Sequence, residues 1–207
     1  MTVLPFIVSY FLWFLWTQLG ELPPAGLYLS FAAETGAKAL IWLSPAVVLL
    51  LRRDKKWLVL PRALFSPPFP WLPTLVGLCG TAAFLHTARL AWVGSGTWGI
   101  LQPIHILMAL AAAVIEELAF RGFFFNRQAA AWSVKYAAPL NGLLFAVYHF
   151  PEFLAGQNLG ALLGFRFWMI LGMGWIFSVT FAKWKHLGMV MLIHFVWNVL
   201  CFWFALV

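Results

Sequence analysis

Charge is what this sequence has least of. Only 9% of its 207 residues are charged and its mean hydropathy is +0.91, whereas an ordinary soluble domain carries roughly 25% charge. A soluble core of this length could not bury so much apolar surface, so the composition excludes a water-soluble fold and leaves lipid as the solvent for most of the chain. Acidic residues are scarcer still: there are six, and Asp54, the single aspartate, sits in a basic loop. An intramembrane pair of catalytic aspartates is therefore excluded. The two cysteines, Cys79 and Cys201, stand alone in apolar segments without a CxxC or metal-type spacing, and they read as buried, reduced thiols without chemistry. No GxSxG precedes a suitable histidine, which removes support for a serine nucleophile. The first apolar run lacks a basic leading region and a small-x-small cleavage site, so it reads as a retained helix and not a signal peptide.

What is present is apolar and aromatic: 64% hydrophobic residues, 18% aromatics and 13 tryptophans. The apolar runs break at Pro, Gly and charge clusters into seven spans: Leu4–Leu19, Gly36–Leu51, Leu72–Val93, Ile104–Phe125, Tyr136–Phe150, Leu159–Ala182 and Leu187–Leu206. The fold class expected is an all-α, polytopic transmembrane helix bundle of about seven spans, within six to eight. A single membrane-embedded domain covers residues 1–207, since no polar stretch is long enough to fold alone. The net charge of +7 does not point to nucleic acid, because the basic residues are gathered in short loops between apolar runs. With the N-terminus inside, the inner loops hold Arg52, Arg53, Lys55, Lys56, Arg62, Arg127, Lys135, Lys183 and Lys185, and the outer loops hold mainly Glu21, Glu34 and Glu152, with Lys38 near a boundary. That asymmetry predicts a cytoplasmic N-terminus and an outer C-terminus. Gly160 and Gly164 offer a small-residue helix contact, a weak motif in a membrane chain.

Ionisable side chains within membrane helices are costly and mark function by default. Glu116 and Glu117 lie mid-span in AAAVIEELAFRGFFF. Glu117 and Arg121, four residues apart, share a helix face and can pair. Glu116 points about 140° away from Arg121 around the axis and is left to face something else. A bland reading, a buried polar staple between helices, has to be set beside the catalytic one. The catalytic reading makes Glu116 a general base and Glu117 its orienting neighbour. His149 ends FAVYH on another span, and His194 opens HFVWN on a third, with Asn198 four residues later on the same face. A lone helix histidine is more often a satisfied core group, but a Glu pair, two histidines and an asparagine on three apolar helices argue for one shared site. His194 and Asn198 can donate hydrogen bonds to an oxyanion, and His149 can donate a proton or hold the water. His86 and Arg89 are expected to snorkel at a span end. His105, Asn141, Arg166 and His186 read as interface residues.

EELAFR (116–121), FAVYH (145–149) and HFVWN (194–198) resemble the three ordered motifs of the CPBP family, EExxxR, FxxxH and HxxxN or HxxxD. That family comprises the CAAX prenyl endoproteases, the bacteriocin-processing and immunity proteins, and related bacterial intramembrane enzymes. The resemblance covers about residues 100–205, so residues 101–207 read as the catalytic core and residues 1–100 as variable N-terminal helices. It implies an intramembrane endopeptidase of the glutamic type in which Glu116 activates water with His149 assisting, His194 and Asn198 form the oxyanion hole, and Glu117 and Arg121 support them. It implies no cofactor. The same Glu and His residues could instead hold zinc, although HExxH is absent. The partners implied are the bilayer and a membrane-associated protein or peptide, cut near a lipidated segment, a leader peptide or a C-terminal sorting helix, in a multi-pass protein of the bacterial cytoplasmic membrane. The rival class is a non-enzymatic membrane protein, an immunity-type binder or a transporter. A transporter would be expected to show broken helices in two related halves, and the sequence has no such pairing.

Overall fold

A computed structural model describes residues 4–19, 27–51, 56–92, 98–155, 164–204 and 206. Among these residues the fold is helical and contains no strand. The helices are α1 (Leu4–Leu19), α2 (Leu27–Leu51), α3 (Trp71–Trp92), α4 (Pro103–Glu117), α5 (Asn126–Trp132), α6 (Val134–Tyr148), α7 (Phe150–Ala155), α8 (Phe165–Trp184) and α9 (Leu187–Trp203). A π-helical stretch, Leu118–Phe125, joins α4 to α5, so one helical rod runs from Pro103 to Trp132. Gly20, Glu21, Pro23, Pro24, Arg52, Arg53, Asp54, Lys55, Gly94, Ser95, Gly96 and Gly160 lie outside the described residues.

Local chemistry sets the ends of these elements. Pro103 opens α4 where its missing N–H costs nothing. Gln102 and His105 form a reciprocal capping box there, with His105 Nδ1 accepting from the Gln102 N–H at 3.2 Å. His186 caps α9 by accepting from the Met189 N–H at 3.3 Å. Lys185 closes α8 in the left-handed conformation, with its N–H on Phe181 O at 2.7 Å. Ser133, at φ 73°, turns the chain between α5 and α6.

Polar and apolar residues are arranged inside out relative to a soluble protein. Leu40, Leu51 and Ile100 are about 80% exposed (78%, 80% and 80%), while Glu117 and Arg121 have no exposure. Outward leucines over inward charges are the pattern lipid imposes, and the chain is an integral membrane protein by this criterion. The rod Pro103–Trp132 and α8 are each long and apolar enough to cross a bilayer. The buried centre is aromatic: the Trp42 ring meets those of Trp13, Phe120 and Tyr148 edge-on at 5.4–5.6 Å. Ser9 Oγ donates to Ile41 O at 2.8 Å, and Tyr148 Oη to Phe6 O at 2.8 Å, tying α1 to α2 and α6. The α6 and α8 helices pack most closely, with Gly142 facing Gly174.

Several expectations need correction. The second span starts at Leu27 and not at Gly36, and Lys38 is therefore an interior residue of α2. The fourth does not end at Phe125, because the polar run that follows is satisfied internally. Asn126 accepts from the Val59 N–H at 2.8 Å and donates to Val59 O at 2.7 Å, and Arg127 donates to Lys56 O at 3.2 Å. Arg127 is accordingly a buried helical residue and not a loop charge. The fifth span, expected over Tyr136–Phe150, runs from Val134 to Tyr148. Arg89 does not snorkel: it is buried, with its guanidinium 4.2 Å from the Trp98 ring. Asn141 is no interface residue either, being buried and accepting from Ser178 Oγ at 3.0 Å. Cys201 is buried as expected, but Cys79 faces outward.

Candidate active site

The site assembles where α4, the end of α6 and α9 meet. Glu117 and Arg121 form the ion pair their spacing predicts, Arg121 Nη1 to Glu117 Oε1 at 2.9 Å. The other guanidinium arm donates to Gly174 O at 2.9 Å, and the Phe145 ring lies 4.4 Å from its centre. Glu117 Oε1 also meets His194 Nδ1 at 2.7 Å. Two helices and a backbone carbonyl thus fix one buried chain of contacts, Gly174–Arg121–Glu117–His194. Charges in this setting need such partners, since an unpaired buried ion is costly.

Glu116 faces the other way, as its helix angle requires. Its Oε1 takes the Lys38 ammonium at 2.8 Å. Its Oε2 is buried and has no hydrogen-bond partner among the described residues. That oxygen stands 3.8 Å from His149 Nε2 and 3.8 Å from His194 Nε2. These separations exceed a hydrogen bond, so the three atoms surround a common point instead of bonding one another.

His149 reaches this point because α6 stops at Tyr148, which puts the histidine in the capping turn. Its Nδ1 lies 2.7 Å from Phe145 O. A carbonyl only accepts, so Nδ1 carries the hydrogen, and Glu117 makes the same demand of His194. Both imidazoles therefore turn Nε2 toward Glu116 Oε2.

The residues open onto a cavity of about 320 Å³ whose lining includes Lys38, Glu116, His149, Glu152, His194 and Asn198. All six sequence-predicted site residues thus cluster: Glu116, His149, His194 and Asn198 at the cavity, Glu117 and Arg121 behind it. A second, apolar cavity of about 840 Å³ lies among α3, α8 and α9, and Met169, Met173 and Trp197 belong to the walls of both. His86 is exposed and lies beside Phe204, away from this cluster. His105 stacks on Phe202 at 4.7 Å, serving helix capping. Arg166, expected at an interface, lines the first cavity and donates to Leu206 O at 3.1 Å.

Sequence reasoning missed Lys38 and Glu152. Lys38 Nζ also lies 3.4 Å from Glu152 Oε1 and 4.3 Å from the Trp42 ring. The signal for Lys38 was available, since it is an ionisable residue at the edge of an apolar run. Starting that run at Gly36 disguised it as a boundary charge. Among the described residues no three His, Cys, Asp or Glu side chains are grouped so as to hold a metal ion. Residues 98–200 match the family described as Type II CAAX prenyl endopeptidase Rce1-like. No curated protein and no solved structure matches the chain.

Proposed function

Through residues 98–200 the chain belongs to the CPBP family of CAAX-type proteases, and on that premise we propose that it is a multi-pass intramembrane endopeptidase whose base is Glu116. The observation that carries this reading is the buried, unpartnered Glu116 Oε2 with two imidazole Nε2 atoms at 3.8 Å in a cavity. A water bound there donates one hydrogen to Glu116 Oε2 and a second to His149 Nε2. Glu116 takes the proton, and the hydroxide attacks the peptide carbonyl carbon. Asn198 and His194 donate to the oxygen that becomes negative. Collapse breaks the C–N bond, and the proton on Glu116 passes to the leaving nitrogen. Glu117 and Arg121 touch no reacting atom. They hold His194 in register through its Nδ1–H.

The substrate is a membrane-associated protein or peptide cut at a lipidated or apolar C-terminal segment. The second cavity, apolar and sharing wall residues with the first, offers such a segment a seat beside the site. The N-terminal helices are more than scaffold in this reading, because Lys38 reaches the base.

A zinc-dependent variant of the same chemistry has one observation in its favour: the two Nδ1–H groups are anchored, which leaves Nε2 lone pairs free to ligate. Against it stands Lys38, whose ammonium already balances the Glu116 carboxylate at 2.8 Å. Metal content of the purified protein decides between them, and stoichiometric zinc would overturn the metal-free reading. The central test is cleavage of a farnesylated CAAX peptide by the full chain in proteoliposomes. Glu116→Ala is expected to lose about 10²–10⁴-fold in rate, the usual worth of a general base. Unchanged cleavage by that variant would exclude Glu116 as the base. No cleavage by the parent chain would favour an immunity-type or transport role.

A further inference from the structure

The base has a chemical problem that its own motif does not solve. During turnover Glu116 alternates between carboxylate and carboxylic acid. The Lys38 ammonium, largely buried with a side-chain exposure of 13%, sits 2.8 Å from its carboxylate. When Glu116 takes the proton from water, that ammonium loses its counter-charge. A buried cation without an anion is costly, and the cost would fall on the step that needs to be fast.

A second carboxylate meets this need. Glu152, on α7, holds its Oε1 3.4 Å from Lys38 Nζ, and its side chain is 35% exposed. Lys38 therefore stands between two acids, closer to the one that reacts. The ring of Trp42 lies 4.3 Å from the ammonium and that of Trp13 5.6 Å, which adds aromatic support to the cation. Trp42 also meets the His149 ring edge-on at 5.8 Å, which couples the lysine's seat to that imidazole.

We propose that Lys38 is a positioning residue of the reaction, holding Glu116 Oε1 so that Oε2 addresses the water, and that Glu152 takes over as its counter-charge while Glu116 carries the proton. The charge count is simple. With Glu116 ionised, one cation faces two carboxylates. With Glu116 protonated, Lys38 and Glu152 form a neutral pair. No charge enters or leaves the cluster except the proton that water gives to Glu116 and that Glu116 later gives to the leaving nitrogen. The lysine stem needs only to lean from one acid toward the other. Both residues lie outside the three sequence motifs. This inference rests on Glu116 being the base.

The test uses the full chain in proteoliposomes with two readouts. The first is cleavage of the farnesylated CAAX peptide. Lys38→Met is expected to lower kcat by about 10–100-fold, within what a well-placed base contributes, with KM changed by less than about twofold. Lys38→Arg is expected to restore most of kcat. Glu152→Gln is expected to lower kcat less than Lys38→Met does. The double variant Lys38→Met/Glu152→Gln is expected to be no slower than Lys38→Met alone, because Glu152 acts only through the lysine. An unchanged kcat, a loss confined to KM, or additive losses in the double variant would each overturn the proposal. The second readout needs no turnover: the infrared carbonyl band of protonated carboxyl groups at neutral pH. Lys38→Met is expected to gain one such band, and Glu116→Gln in the same background to remove it. No gain of that band overturns the proposal, and its gain with loss on Glu116→Gln supports it, even if the parent chain fails to cleave the peptide; that failure would count against the protease assignment alone.

Discussion

Replacing Gly142 by alanine adds one methyl group where α6 crosses α8, and its effect there can be worked out from distances. A Cβ at Gly142 would lie 2.8 Å from Leu171 O and 2.9 Å from Trp175 N, both backbone atoms of α8 that have no side-chain freedom to yield. Ordinary contact begins at 3.4 Å, so α6 and α8 must part by about 0.6 Å, the difference between 3.4 and 2.8. Overpacking of this kind costs about 1–3 kcal/mol, against a gain of about 0.5–1 kcal/mol from removing a helix glycine. The net expectation is a loss of about 1–2 kcal/mol. The displacement also reaches the site. Gly174, which faces Gly142, carries the carbonyl that holds Arg121 Nη2 at 2.9 Å. Lengthening that bond by the same amount takes it out of the hydrogen-bond range. The assay is the melting temperature of the detergent-solubilised chain together with its cleavage rate, and both should fall. Gly172→Ala is the control, because nothing lies within 4 Å of its added methyl. It should be neutral or slightly stabilising although it sits only two residues from Gly174 on α8. A Gly142→Ala chain as stable as its parent, or a Gly172→Ala chain equally damaged, would refute the reasoning.

Other perturbations probe the buried polar groups. Arg121→Met leaves Glu117 buried beside His194 without its cation, and a loss of about 3–5 kcal/mol is expected in chemical denaturation. Arg121→Met combined with Glu117→Leu should recover much of that stability but none of the cleavage, since His194 then lacks its carboxylate partner. Asn126→Ala removes both contacts to Val59 and strands a buried N–H. Destabilisation of about 1–3 kcal/mol follows, read as faster hydrogen exchange in residues 56–60. His186, in the turn before α9, is held below its ordinary value of 6.5 by burial. A depressed histidine costs nothing while neutral, and its stability is lost as pH falls from about 6.5 through the lower folded value. The melting temperature should therefore drop on acidification toward about pH 5. His186→Asn, which keeps a capping acceptor but does not titrate, should flatten that slope.

The part of the site that follows local helix geometry was readable in the sequence. Glu117 with Arg121 and His194 with Asn198 are pairs four residues apart, and helical geometry alone puts each pair on one face. The rule that buried charges seek one another then pointed to Glu116, His149 and His194 as neighbours. The rest depends on contacts between distant segments. Asn126 and Arg127 look like residues beyond the helix until the backbone of Val59 and Lys56 satisfies them, so the sequence pattern alone ends the fourth helix too early. Lys38 looks like a boundary charge until Glu116 is beside it, and Arg89 like a snorkelling one until Trp98 covers it. In each case composition registers the polarity of a side chain, and only the fold supplies the partner that cancels it.

The wide-turned stretch Leu118–Phe125 has a consequence for how this rod tolerates insertions and deletions. Hydrogen bonds there span one residue more than in an α-helix, so the segment holds surplus chain within its length. Excising one residue between Gly122 and Phe125 would let the ladder relax to ordinary pitch, and the surplus residue would be lost without the full turn of about 100° that a deletion imposes on an α-helix. Asn126 would then stay beside Val59. A one-residue deletion is therefore better tolerated in this stretch than in the α-helical turns on either side of it.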